Sequence, residues 1–297
     1  NLSLKEVDLK KMVRQVFYTY LYLKEKEKLL IKNDNTYSAF LEKANLRFTK
    51  GESNILEKTT AETQRGNIAI QLKQIQQELE IAQLQFKLLL NTATTFVPEE
   101  KSLKMSFAMS LDSNSISQHP YLKIIEQQKK ISILNQKLEK SRLLPDLYAG
   151  YSSMTMRGTG ADEKIYTTSS RFQSVQVGIG IPLFFGSQRA KISASKLDQS
   201  IAENSYLQGV NLLQTQYKSV ISQYQANLST VNYYENIALK NSILIFETAN
   251  KQFSNGELNY LEWVMLTNQA ISIQSNYLDA VKNLNESIIQ LNYLISK

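Results

Sequence analysis

The sequence predicts a mainly α-helical chain built of long coiled-coil hairpins, the product of an internal duplication, with one β-hairpin set between them. Three observations carry this. The 297 residues hold only 10 Gly and 4 Pro, too few chain-breakers for an all-β protein that must turn about every ten residues. A sixteen-residue segment recurs: EKANLRFTKGESNILE at 42–57 and ETANKQFSNGELNYLE at 247–262 are identical at nine positions, at a constant offset of 205. Finally, Leu266, Ala270, Ile273, Tyr277, Ala280, Leu284, Ser287, Leu291 and Leu294 are spaced alternately four and three apart, a narrow stripe that packs helices as coiled coils.

The first repeat, residues 1–100, reads as a helical hairpin that is incomplete at its start. Its long helix ends at Phe48, Gly51 supplies the left-handed residue that closes it, and Glu52 and Glu57 sit where the next helix's dipole favours acid. Ile68, Leu72, Ile75, Leu79, Ala82, Phe86 and Leu89 repeat the heptad rows at the same offset. Residues 101–118 read as a linker. The second repeat, 119–297, comprises a helix at 119–143, a β-hairpin at 144–185, a long helix at 188–254 and a helix at 257–296. Its turn repeats the first, with Phe253, Gly256, Glu257 and Glu262. Between 188 and 253 there is no Pro and one Gly, Gly209, so some 65 residues can run as one helix of roughly 100 Å. Tyr217, Val220, Tyr224, Val231, Tyr234, Ala238 and Ile245 form its seam. Subtracting the 205-residue offset from His119 places the start of the first repeat about 85 residues before Asn1, so the sequence reads as N-terminally truncated.

The hairpin rests on a change of period. Six of the ten Gly fall between Gly150 and Gly186, bracketed by Pro145 and Pro182. Val175, Val177, Ile179 and Ile181 alternate with Gln176, Gly178 and Gly180, and a second candidate strand runs from Leu144 to Ser153. Residues 154–172, rich in Gly, Ser, Thr and charge, read as a long exposed loop. Two strands of this length with one apolar face and aromatics near the ends (Tyr148, Phe172, Phe184, Phe185) match a transmembrane β-hairpin; they match equally a soluble hairpin packed on a helix.

Composition excludes several function classes. With no Cys there is no disulfide framework, thiol catalysis or Cys-ligated metal; a single His, His119, argues against two-His metal sites and His-based triads. His119 precedes Pro120 at a helix start, which suits a turn. Net charge is +7, but the charges interleave, as in Lys24-Glu25-Lys26-Glu27-Lys28, so a solvated helix face is favoured over a nucleic-acid surface. Mean hydropathy is −0.31, and no apolar run approaches the ~18 residues of a spanning helix. Gly178-x-Gly180 lacks the third glycine of a dinucleotide site, and there is no P-loop. Met154 and Met156 are too few for a tight soft-cation site. Abundant Tyr falls mostly at heptad positions. The acids after each tip glycine serve the helix dipole, or in an oligomer form rings that attract cations.

The order of helix, LPDLYAGY (144–151), loop, VGIGIPLFFGSQRAKISASK (177–196), and a very long helix ending in ANKQFSNGELNYLE resembles the TolC-type outer-membrane efflux channels over nearly the whole chain. Pro182, Leu183, Phe184 and Gly186, with the Phe-x-x-Gly-Glu tips, resemble most closely the branch that serves heavy-metal pumps of the resistance-nodulation-division type, to whose C-terminus such a sequence is sometimes joined. The resemblance implies a homotrimer whose strands share a transmembrane β-barrel in the bacterial outer membrane and whose helices line a periplasmic tunnel. It further implies a periplasmic adaptor as partner, a resistance-nodulation-division pump beyond it, no cofactor and no catalysis. On this reading Val175, Val177, Ile179 and Ile181 face lipid, Pro145, Pro182 and Gly186 mark the helix–strand junctions, and Phe48, Gly51, Glu52, Phe253, Gly256 and Glu257 form the adaptor-docking tips. The family carries four strands per chain where this sequence offers two. A soluble coiled-coil scaffold or adhesin is the competing reading, separated by detergent dependence.

Overall fold

The computed structural model describes residues 2–51, 53–100, 102–107 and 113–296, so the expectation for Glu52 lies outside the described residues. The chain is mainly helical: α1 (Leu2–Thr49), α2 (Ile55–Leu90), a 3-10 turn (Ser113–Gln118), α3 (Pro120–Ser141), β1 (Asp146–Met154), β2 (Gly158–Thr159), β3 (Ile165–Tyr166), β4 (Phe172–Gly180), α4 (Gly186–Tyr233), a π-helical turn (Tyr234–Ala238), α5 (Leu239–Ser254) and α6 (Tyr260–Leu294). It divides into two compact units, one of residues 1–120 and 211–297, the other of 121–210.

In the first unit α1 and α2 form one hairpin, and α5 and α6 the other. An aromatic cluster joins them. Phe40 stacks on Tyr260 and on Trp263, both at 4.5 Å between centroids, and Phe253 lies 5.4 Å from Trp263. Leu30, Ala44, Ala61, Ile68, Ala249 and Val264 complete this core. Small residues where helices approach and large rings beside them are what a narrow seam requires. Polar tips are satisfied inside it: the Trp263 indole donates to Asn250 at 2.7 Å and the Tyr37 hydroxyl to Asn268 at 2.7 Å. A second fastening joins α1 to α6, where Asp279 accepts from Tyr22 at 2.5 Å and from Lys26 at 3.0 Å.

The seam of the long helix holds through Tyr217, Val220, Val231 and Ala238, then runs one residue late. Alternating steps of three and four would bury positions 241 and 248; Ser242 and Ala249 are buried instead, and Ile245 is half-buried. The π-helical turn between Tyr234 and Ala238 takes up the extra residue, since a π turn holds one more residue than an α turn. Glu235 in that turn accepts from both Lys104 (2.8 Å) and the Tyr277 hydroxyl (3.2 Å). Lys104 belongs to the stretch expected as a linker, and the stretch is not free. Asn285 clamps its backbone, donating to the Leu103 carbonyl (2.7 Å) and accepting from the Met105 amide (2.8 Å), while Leu103, Met105 and Phe107 cover Val231, Val281, Leu284 and Ile288.

In the second unit α3 packs on the first part of α4, and Gly209 permits the approach: a Cβ there would stand 2.3 Å from Ile125. β1 and β4 pair antiparallel from Asp146↔Gly180 to Met154↔Phe172. The stretch between them, expected as an open loop, carries its own small ladder, β2 with β3. It is held by a turn in which Gly160 donates to the Lys164 carbonyl at 2.8 Å and Tyr166 to Asp162 at 3.0 Å.

His119 is fully buried, edge-on to Tyr293 at 5.2 Å, with its amide bonded to the Ile116 carbonyl. Desolvation holds its imidazole below the usual 6.5, against the opposing pull of Asp8 and of a backbone bond to Tyr293. The unfolded chain then takes up the proton more readily than the folded one. The stability this group contributes is complete above about 6.5 and is lost as pH falls through the lowered folded value. Urea unfolding between pH 7 and pH 5, above the range where carboxylates titrate, should show falling stability in the unaltered chain and a flatter profile in His119→Phe.

Candidate functional site

The sheet of the second unit has two chemically distinct faces. Because side chains alternate, the register places Leu147 opposite Ile179, Ala149 opposite Val177 and Tyr151 opposite Val175 on one face. Except for the small Ala149, these are large apolar side chains, and all six are exposed, Val177 to 80%. The other face carries Asp146, Tyr148, Gly150, Ser152, Ser174, Gln176, Gly178 and Gly180; at the end far from the helices the pattern changes, with Ser153 and Gln173 on the apolar face and Met154 and Phe172 on the other. The sequence identified Val175, Val177 and Ile179 but missed Leu147 and Ala149, because Gly150, Ser152 and Tyr148 blur the alternation in β1. Ile181 lies one residue beyond β4, exposed, and continues the band. Tyr148 sits on the polar face and lies across Gly178, where a Cβ would approach the ring to 2.1 Å. β1 and β4 form a two-stranded sheet, so among the described residues each has one edge without a partner.

Junctions bound the sheet at one end. Pro145 immediately precedes β1, Pro182 follows β4 by two residues, and Gly186 opens α4. A proline at such positions ends a ladder without wasting an amide. Between Pro182 and Gly186, Leu183 and Phe184 are almost wholly exposed, Phe184 to 92%.

The two hairpin tips, both in the first unit, share a backbone and differ in side-chain chemistry. Gly51 and Gly256 have φ of 72° and 76°, the left-handed conformation that closes a helix. Asn54 and Asn259 cap the following helices, accepting from the amides of Glu57 (3.1 Å) and Glu262 (3.0 Å). The repeated Asn-x-x-Glu was therefore legible as a capping box. In the second tip the box is reciprocal, Glu262 accepting from the Asn259 amide at 3.0 Å. In the first, the Glu57 carboxylate turns away to accept from Arg47 (2.9 Å) and from the Ser53 hydroxyl, and is buried. Glu57 is thus drawn inside its tip, whereas Glu262 is exposed and bonded only to its own cap. Glu257 is exposed, accepting from Asn255 at 3.1 Å. The phenylalanines diverge as well. Phe253 is part of the aromatic core, while Phe48 is half-buried under the Lys58 ammonium at 5.5 Å. A cleft of about 730 Å³ lies between the tips, lined by Lys43, Arg47 and Glu57 of one and Phe253, Asn259 and Tyr260 of the other. Among the described residues no His, Asp and Glu side chains group where a metal ion could sit.

No family model matches the chain, and no curated protein matches it. Solved structures do. The outer-membrane channel OprN superposes with a TM-score of 0.88 over 99% of this chain and 67% of its own, at 18% identity. The outer membrane protein VceC of Vibrio cholerae gives 0.83 over 97% and 70%, at 12% identity. CusC, described in connection with transmembrane channel formation, gives 0.80 over 99% and 69%, at 18% identity. The chain thus has the fold of TolC-type outer-membrane channels and spans about two thirds of the length of each of these structures.

The Tyr148–Gly178 overlap supplies a test of the hairpin. Gly178→Ala sets a Cβ against the far end of the exposed Tyr148 ring, which must swing aside, and should weaken the hairpin only slightly, read as modestly faster backbone amide exchange in β1 and β4. Adding Tyr148→Ala should restore protection, because the register itself asks nothing of the glycine once the ring is gone.

Proposed function

We propose that this chain is the outer-membrane channel component of a tripartite efflux system: a passive duct for metal cations that works as a homotrimer with a periplasmic adaptor and a resistance-nodulation-division pump. The sheet carries the reading. Its apolar face is exposed on both strands, and among the described residues its outer edges are unpaired. Lipid welcomes such a face but tolerates no open edge, so strands from several chains must close it into a barrel. The fold shared with OprN and CusC supports this arrangement. The cargo class rests on Pro182, Leu183, Phe184 and Gly186, whose pattern resembles the heavy-metal branch. The chain supplies a wet path and docking tips, while energy and selectivity come from the pump. A soluble scaffold or adhesin would need something to cover Val175, Val177 and Ile179; protein that stays monodisperse without detergent would favour it.

Two substitutions probe the two ends of this reading. Ile179→Arg should cost about 2–4 kcal/mol if the residue meets lipid near the bilayer midplane. The expected result is less heat-resistant trimer in the outer-membrane fraction; unchanged insertion argues for a hairpin in water.

Gly256→Val tests the tips. A Cβ at Gly256 meets nothing within 4 Å, so the cost is confined to backbone strain at positive φ. If this tip docks an adaptor, the substitution should abolish metal resistance while trimer abundance stays normal. Loss of both together would leave the glycine a folding role alone.

A further inference from the structure

The helices that leave the sheet carry a column of cations that nothing in their unit neutralises. One flank of the α3–α4 pair is marked by the Lys129–Glu203 ion pair at 2.8 Å. Lys137 and Lys140 stand eight and eleven residues after Lys129, and Lys196 and Arg189 seven and fourteen before Glu203. At 3.6 residues per turn Lys140, Lys196 and Arg189 return to within about 40° of that flank, and Lys137 stands about 80° round from it, on the outer side. Glu139 stands about 80° round from Lys129 in the other direction, where it accepts from Gln188 at 2.8 Å and has its carboxyl held down by that bond. Lys137, Lys140, Arg189 and Lys196 are exposed, and among the described residues none has an ion-pair partner. The column ends where the apolar surface begins, at the exposed side chains of Leu144, Ile181, Leu183 and Phe184.

We infer that this column binds the phosphates of anionic phospholipid headgroups at the rim of the bilayer that receives the sheet. The inference rests on the membrane reading of the sheet. Apolar band, exposed aromatic and basic residues follow one another in the order in which a protein crosses hydrocarbon, interface and headgroup layer. The spacing agrees. α3 ends at Ser141 and α4 starts at Gly186, so Lys137, Lys140 and Arg189 stand within about 6 Å of the junction along the helix axes. A headgroup layer is roughly 5–8 Å deep. Lys196 lies about 15 Å along α4 and draws on the same surface through its long side chain. Four like charges in one column repel one another, and an anionic surface is the partner that removes that cost.

The test uses the full chain and co-flotation with vesicles of phosphatidylcholine alone or with one third phosphatidylglycerol. The unaltered protein should bind the anionic vesicles at least on the order of a hundredfold more tightly at low salt, by compounding a roughly fivefold gain for each of three or more cations, and raised salt should erase the difference. The quadruple variant Lys137→Gln, Lys140→Gln, Arg189→Gln, Lys196→Gln, checked for unchanged helical circular dichroism, should bind both vesicle types alike, at the level of the unaltered chain on phosphatidylcholine. A variant that keeps the full anionic preference overturns the inference, leaving the column to an acidic protein partner or to the tunnel. If the unaltered chain binds neither vesicle, the membrane reading of the sheet fails with it.

Discussion

Everything in the first unit depends on a seam two residues wide per heptad. A helix that offers only such a stripe cannot wrap a globular core; it can lie only beside another helix, along its length. Stability must then come from what fits between close backbones, which explains why Ala44, Ala61, Ser242 and Ala249 alternate along the seam with Tyr37, Phe40, Tyr260 and Trp263. It also explains the wet faces. The residues outside the stripe are Asn, Gln, Ser, Thr and interleaved charge, a surface that water can meet on either side of the helix layer. A duct requires walls of this kind, thin and polar.

Duplication supplied two copies of one hairpin, and the structure shows which features were kept. The left-handed glycine and the Asn cap are retained in both because each closes a backbone account that no side chain further away can settle. The first-turn glutamates had no such constraint. Glu262 completes its own box, whereas Glu57 was recruited by Arg47 across the turn. Phe253 entered the core between the hairpins; Phe48, on the far side of the first hairpin, had no partner ring to meet. Two tips with one backbone and two electrostatic characters are better suited to two kinds of contact than to one repeated contact.

Local signals were legible, and contacts distant in sequence were not. Heptad spacing, paired glycines and the change to a period of two declared the helices, turns and hairpin. The π-helical turn escaped because its cause is the misfit of one residue in a seam whose partner lies elsewhere; only the delayed burial of Ser242 and Ala249 reveals it. The docked connecting segment escaped because Lys104–Glu235 and the Asn285 clamp link residues more than a hundred positions apart. For β1, glycine and serine within the strand disguised an apolar face that becomes plain once the register sets Leu147 and Ala149 beside Ile179 and Val177.

A chain of negative mean hydropathy with no helix apolar enough to span a membrane is no obstacle to a membrane role. A spanning helix must surround itself with apolar side chains and so needs ~20 of them in a row. A strand in a closed barrel shows lipid only every second side chain over ~10 residues. The hairpin here meets that demand with Leu147, Ala149, Tyr151, Val175, Val177 and Ile179, too few to register in the average composition. The opposite face is then free to be small and polar, as Gly150, Ser152, Ser174 and Gln176 are. On the membrane reading the rest of the sequence can remain soluble helix, and two short strands alone carry the apolar face.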